Sequence, residues 1–308
     1  MRINERLTDF ERVELTKKSY EELAIGAEVV IGENMLGKVV KIIHEEDGLR
    51  GYVISNQSEI TILFKGSFGL RKGNPTTWRD EWLRTNLPIL LALINKEAKI
   101  PSQLVSAARV LNQSLHELPE LPCYIYGHSL GAINAQYALA HCRHPERIAG
   151  AYLYEGTNIW ELLNSAERRR VGKLRQRINN YIDIYDPVTL GFTATHHMVG
   201  RLCYVDSRQI NPISQHMWGG YQFDANGKLR LKEVDEEFLR ESRSEQRLLT
   251  KSNDLAKMLD SKDPTGEFRK LAVVKMQQLQ DKLPSRKSLS KLASSLIEEK
   301  ILKNKSEE

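Results

Sequence analysis

Cysteine is scarce in this sequence, and the scarcity excludes two kinds of architecture. Of 308 residues only Cys123, Cys142 and Cys203 are cysteines, far apart and odd in number. With no CxxC and no Cys/His ligand spacing, neither a disulfide framework nor a structural zinc is expected; the three read as free, buried thiols. Net charge is also small. Forty-five Lys and Arg stand against 40 Asp and Glu, a formal +5, which mildly favours an anionic surface and does not argue for nucleic-acid binding. Long apolar runs are missing too. The longest, "LPILLALI" at Leu87 to Ile94, is too short to span a bilayer. The opening residues, "MRINERLTDFERVELTKKSYEEL", are charged throughout and have no apolar core of a secretory signal. The expected location is therefore cytoplasmic, or outside the cell by a route that needs no N-terminal signal peptide.

What is present describes a globular chain with a sizeable core. Apolar residues make up 41% and charged residues 28%, and a chain of this length holds one large domain or a domain plus an extension. Asp9 to Leu23 carries apolar positions at helical spacing. Two β-rich runs follow, Gly37 to His44 and Gly51 to Asn56, on either side of the turn-like "EEDGLR". "EITILFKGSFG" then reads as a buried strand closed by a tight glycine loop. Thr77 to Glu117 is helical in pattern and divided by Pro101. "CYIY", "IAGAYLYEG" and "NNYIDIYDPVT" read as buried strands, and their alternation with helices implies right-handed crossovers and a mostly parallel sheet. In "GGYQFDANGKLRL", Asn226 and Gly227 predict a two-residue hairpin turn with both residues at positive φ. Beyond Lys232 aromatics nearly vanish and charges of both signs crowd in. Leucines recur there at three- and four-residue steps, the pattern of an amphipathic helical tail. The expected division is therefore 1–231 and 232–308.

Chemistry concentrates in "GHSLG". A G-x-S-x-G match is weak alone, but here a strand precedes it and a small-residue helix follows. Acyl transfer from a serine needs the hydroxyl held proud of the sheet on a turn whose flanks have no bulk, and Gly127 and Gly131 supply that room. Ser129 then stands at the carboxyl edge of a parallel sheet, with helix N–H groups facing a developing oxyanion. A serine nucleophile needs a base, and the base an orienting carboxylate. Asp186, in "DPVT" after a strand, is the preferred acid. Asp183 is its rival, read as lying inside the strand and pointing away. His196, His197 and His216 follow; His216, on a loop before a predicted strand, is the preferred base. His128 reads as a pocket-lining or hydrogen-bonding residue. For the oxyanion hole, Leu130 offers the amide after the nucleophile, and the "KGS" loop offers that of Ser67.

In that order, "TILFKGS", "GHSLGA", "DPV" and the histidine before an aromatic run resemble the class 3, fungal-type lipases among the α/β-hydrolases, and in particular their bacterial lipase-like branch. "TTWRDEW" at Thr76 to Trp82 resembles the segment that follows the oxyanion loop in that family. The resemblance covers roughly 7–231. It implies an α/β-hydrolase fold with a mostly parallel central sheet, to which the sequence adds an α-helical C-terminal extension. It implies Ser129 as nucleophile, Asp186 as acid, His216 as base, and Ser67 and Leu130 for the oxyanion hole. Lys65 departs from the family's usual Arg or His, and Ser67 stands where Thr is common. The function implied is hydrolysis of carboxylic, lipid-type esters, with no cofactor and no metal. The expected partners are an ester or lipid substrate, a transient membrane-surface contact, and a protein partner through the C-terminal helices. The apolar stretch Trp82 to Ile94 reads as a lid or acyl-chain wall, or equally as a core helix. A phospholipase or acyltransferase on the same triad is an alternative, and so is an interaction or exported protein whose tail docks a partner.

Overall fold

The structure, a computed structural model, describes residues 2–66, 100–186, 189, 192, 197–236 and 238–240. Ser67, His196, the stretch from Trp82 to Ile94 and the tail from 241 onward lie outside the described residues. The chain divides into two compact units, Met1–Ser242 and Arg243–Glu308; everything described belongs to the first.

Short helices α1 (Ile3–Arg6) and α2 (Asp9–Lys17) open the chain. The second starts on a reciprocal cap, in which Thr8 Oγ1 accepts from the Glu11 N–H and the Glu11 carboxylate accepts from the Thr8 N–H. Four strands follow: β1 (Glu28–Ile31), β2 (Asn34–His44), β3 (Arg50–Ser55) and β4 (Ile60–Phe64). Helix α3 (Ser102–Glu117) leads to β5 (Cys123–His128), and α4 (Leu130–Ala140) leads on to β6 (Ile148–Tyr154). Helix α5 (Ser165–Lys173), β7 (Ile178–Ile182), β8 (Arg201–Tyr204) and the single turn α6 (Pro212–His216) complete the described elements.

Among the described residues, eight strands form one sheet in chain order. The first three pairings are antiparallel, and the four from β4 to β8 are parallel. In the parallel part both faces are covered. Along β4 and β5, Ile62, Phe64, Cys123 and Ile125 join the core shared with α3 and α4. Leu63, Tyr124 and Tyr126 turn to the other face and pack with Leu7 and Leu15 from the N-terminal segment. That period-two switch between two buried layers explains why these strands read as continuous apolar runs. The fold is that of an α/β-hydrolase: a mostly parallel sheet, a strand–turn–helix carrying serine at its carboxyl edge, and helices on both faces.

Three local expectations are corrected. The hairpin at "DANG" is not a two-residue turn. Only Gly227 has positive φ (72°), and its N–H donates to the Asp224 carbonyl. The Asp224 N–H donates to the Lys228 carbonyl, so the loop holds three residues, Ala225, Asn226 and Gly227, and Asp224 Oδ1 steadies it by taking the N–H groups of Asn226 and Lys228. Strand β7 ends at Ile182, so Asp183 lies beyond it rather than inside it. His216 sits at the end of α6 rather than on a loop.

The described part of the tail packs on the sheet. The Lys232 N–H donates to the Tyr204 carbonyl, and Phe238 is buried against Tyr204. All three cysteines are buried and unpaired. Among the described residues no helix is long and apolar enough to cross a membrane.

Candidate active site

Ser129 occupies a backbone conformation that L-residues avoid, φ 57° and ψ −126°. The strain is held by its neighbours. Its N–H donates to the Tyr154 carbonyl on β6, and its carbonyl accepts from Ala132 and Ile133 in the first turn of α4. The turn closes only because its flanks are bare. A Cβ on Gly127 would lie 2.5 Å from the Gly131 carbonyl oxygen, and one on Gly131 would run into the backbone carbonyl of Phe64 on β4. The two glycines are required by close backbone approach, not merely by turn preference.

The Ser129 hydroxyl lies 2.9 Å from His216 Nε2, and His216 Nδ1 lies 2.7 Å from Asp186 Oδ2. An ionised carboxylate only accepts, so Nδ1 carries the proton and Nε2 is left to accept from the serine. Asp186 is fully buried, with His216 and Ser129 4% and 2% exposed. Asp186 is set by a turn rather than by a strand end: its N–H donates to the Asp183 carbonyl at 3.1 Å. The Thr189 hydroxyl bridges the carbonyls of both residues.

His128 is tied in from the other side. Its Nε2 lies 2.7 Å from the His216 carbonyl, which only accepts, so Nε2 is the donor. Its Nδ1 then accepts from the Tyr20 hydroxyl at 2.6 Å. Burial, and secondarily the neighbouring His216, hold the ring well below the usual histidine range, so it is neutral. The Trp218 ring lies 3.9 Å, centroid to centroid, from His128. Tyr20 also takes a hydrogen bond from the Gly66 backbone, so one chain of contacts runs from the glycine loop after β4 to the His216 backbone. Beside that loop, burial lowers the Lys65 ammonium, whose nitrogen sits 5.9 Å from the centre of the Tyr20 ring.

The structure thus brings Ser129, His216 and Asp186 together. Leu130, 2% exposed, opens α4, where its N–H has no acceptor within the helix. His197 is placed elsewhere, its ring stacked on Trp160. Asp183, read from sequence as turned away, is instead fully buried beside the site. It accepts from the Tyr185 N–H and from the Gln215 side chain. Burial pushes its carboxyl up to about 6, partly offset by hydrogen bonds from Ser207 and Gln215. Sequence reasoning passed over Glu155, Tyr20, Gln215 and Tyr221. Only Glu155 left a trace, as an acid ending an apolar strand in "YLYEG". Among the described residues no group of three or more His, Cys, Asp or Glu side chains could hold a metal ion.

Comparison with known proteins gives a mixed result. No family model matches the sequence, and no curated protein matches it significantly. Solved structures do match. A lipase from Rhizopus microsporus var. chinensis is 14% identical, with 60% of this chain and 67% of that one covered at a TM-score of 0.37. Rhizomucor miehei lipase in its propeptide complex is 16% identical, with 66% and 68% covered at 0.40. A triacylglycerol lipase from Penicillium expansum is 14% identical, with 65% and 80% covered at 0.36. These superpositions are partial, and the fold assignment rests on the strand order and the serine turn described above.

Proposed function

We propose that the chain is a serine hydrolase of carboxylic esters, of lipase or esterase type. The observation that carries the reading is the pair of contacts on His216, which commits one ring nitrogen to Asp186 and the other to Ser129. In the reaction, Ser129 Oγ attacks the ester carbonyl carbon while His216 Nε2 takes its proton. Asp186 holds the tautomer and faces the imidazolium that forms. The carbonyl oxygen, now anionic, is met by the Leu130 N–H at the positive end of α4 and, on the strength of the sequence motif, by Ser67. Collapse expels the alcohol, to which His216 returns the proton. Water then repeats the sequence on the acyl-enzyme.

The bacterial lipase-like branch is part of the same proposal and rests on the sequence motifs alone. So is a separable tail. A chain ending at residue 240 keeps Phe238 packed on Tyr204 and is expected to turn over a short ester, whereas one ending at 231 loses that packing and about 3 kcal/mol of stability. Thermal unfolding of the two truncations checks this.

The reading is tested with p-nitrophenyl esters of increasing chain length, run on the full chain and on Ser129→Ala. The expected outcome is turnover that depends on chain length and falls by about a million-fold in the variant, with unchanged folding. Turnover retained by a folded Ser129→Ala would refute it.

A further inference from the structure

Three buried carboxyl groups stand at the carboxyl ends of β6 and β7, and the mechanism above uses only Asp186. Glu155, the residue after β6, is the most constrained of them. Its φ is +50°, in the left-handed region that non-glycine residues rarely enter, and its side chain is fully buried. Such a conformation persists only where the surroundings over-determine it. Here they do so at three points. The Glu155 N–H donates to the Tyr181 carbonyl on β7 at 3.1 Å, its Oε2 accepts from the Asp183 N–H at 3.1 Å, and its Oε1 bonds to the Tyr221 hydroxyl.

Both side-chain contacts lead to the site. Asp183 opens the turn that closes on Asp186, since its carbonyl takes the Asp186 N–H. Tyr221 lies on the segment that leaves His216, and its N–H donates to the carbonyl of Trp218, which packs on His128. One carboxyl group therefore joins the segment that delivers the acid to the segment that delivers the base. We propose that Glu155 is a positioning residue for the Asp186–His216 pair, a buried carboxyl that ties the Asp186 turn to the chain following His216. This rests on the triad reading above.

The surroundings favour the neutral form. The groups that face Glu155 are Asp186 and Asp183 from the segment after β7 and the Tyr221 hydroxyl from the segment after α6. Burial first, then Asp186 and Asp183, hold its carboxyl well above the usual range. Burial and Glu155 likewise raise Tyr221, so the phenol stays protonated. A third anion there would repel the charge that His216 needs opposite it.

The experiment uses the full chain and reads Ser129 labelling by a fluorophosphonate, kcat and KM on a short ester, the pH profile and thermal unfolding. Glu155→Gln is neutral, keeps an acceptor for the Asp183 N–H and reaches Tyr221. It is expected to keep near-wild-type kcat, with the acid limb of kcat/KM unmoved. Glu155→Leu removes both ties and is expected to lose kcat on the order of 100-fold with KM unchanged. Tyr221→Phe removes one tie, is expected to fall between, and is the variant to read if Glu155→Leu does not fold.

Wild-type kcat in folded Glu155→Leu or Tyr221→Phe would overturn the proposal. A loss in Glu155→Gln as large as in Glu155→Leu would do the same. An acid limb displaced to lower pH by more than about half a unit in Glu155→Gln would show that a negative charge had been removed, and would also overturn it. An unlabelled wild-type protein would overturn the triad reading and this one together. Equal labelling of every variant would overturn this one alone.

Discussion

From β1 to β3 the strands run antiparallel, and along β1 and β2 burial largely alternates, with Val40 and Ile42 of β2 turned to solvent. From β4 onward they run parallel, and β4, β5 and β7 are buried along their whole length. An antiparallel sheet can leave one face wet, and its strand ends alternate between two edges. A parallel sheet must be covered on both faces and delivers every carboxyl end to one edge. Ser129, Glu155 and Asp183 directly follow β5, β6 and β7, three adjacent strands, and so arrive side by side. The comparison teaches that buried polar side chains gather where strand direction gathers them, and that the antiparallel part extends the sheet without adding to the site.

The sharpest break between parts would come from the two aspartates on the parallel edge. Asp186→Asn leaves the shape but disrupts the contact that sets the His216 tautomer, and is expected to cut kcat about 10⁴-fold. Asp183→Asn, one turn earlier, touches Gln215 and Tyr185 rather than His216, and is expected to cost less than about tenfold. Steady-state kinetics of the pair would reverse the roles if Asp183→Asn were the crippling change. The second also carries a pH signature. The Asp183 carboxyl is raised to about 6 from its ordinary value of 3.8, so the folded chain holds its proton where the unfolded chain has lost it. Stability from this group is greatest at low pH and falls as pH rises from about 4 to about 6. In Asp183→Asn that part of the slope is expected to vanish from denaturant unfolding measured across the window.

Smaller effects sharpen the comparison in stability. Gly131→Ala drives a Cβ into the Phe64 carbonyl of β4, a backbone fixed by ladders on both sides. It is expected to cost about 3 kcal/mol. Ile42→Thr, on the wet face of β2, is expected to stay within about 0.5 kcal/mol. Urea unfolding of the two would blur the distinction between the parts if their losses were equal.

Much of the parallel part could be read from the chain, because its signals are local. Gly127 and Gly131 announce the serine turn, and the apolar runs of β4, β5 and β6 announce buried strands. The contacts that complete the site are not local. Tyr20 meets His128 across 108 residues, and Tyr221 meets Glu155 across 66. No periodicity or motif marks either pair. Asp183 was misjudged for a physical reason: "YIDIY" alternates like a strand, yet Glu155 takes the Asp183 N–H and the Asp186 turn takes its carbonyl, which ends the ladder at Ile182. Strand β1 was missed because only four residues carry it, and β8 because "RLCY" is too short to show a period.

The account turns on Ser129 being the nucleophile that His216 activates. Its most direct test is to treat the full chain with a fluorophosphonate and map the adduct by peptide mass. The expected result is a single adduct on Ser129, absent in Ser129→Ala and formed far more slowly in His216→Ala. An adduct on another residue, no adduct at all, or equal labelling of His216→Ala would contradict it.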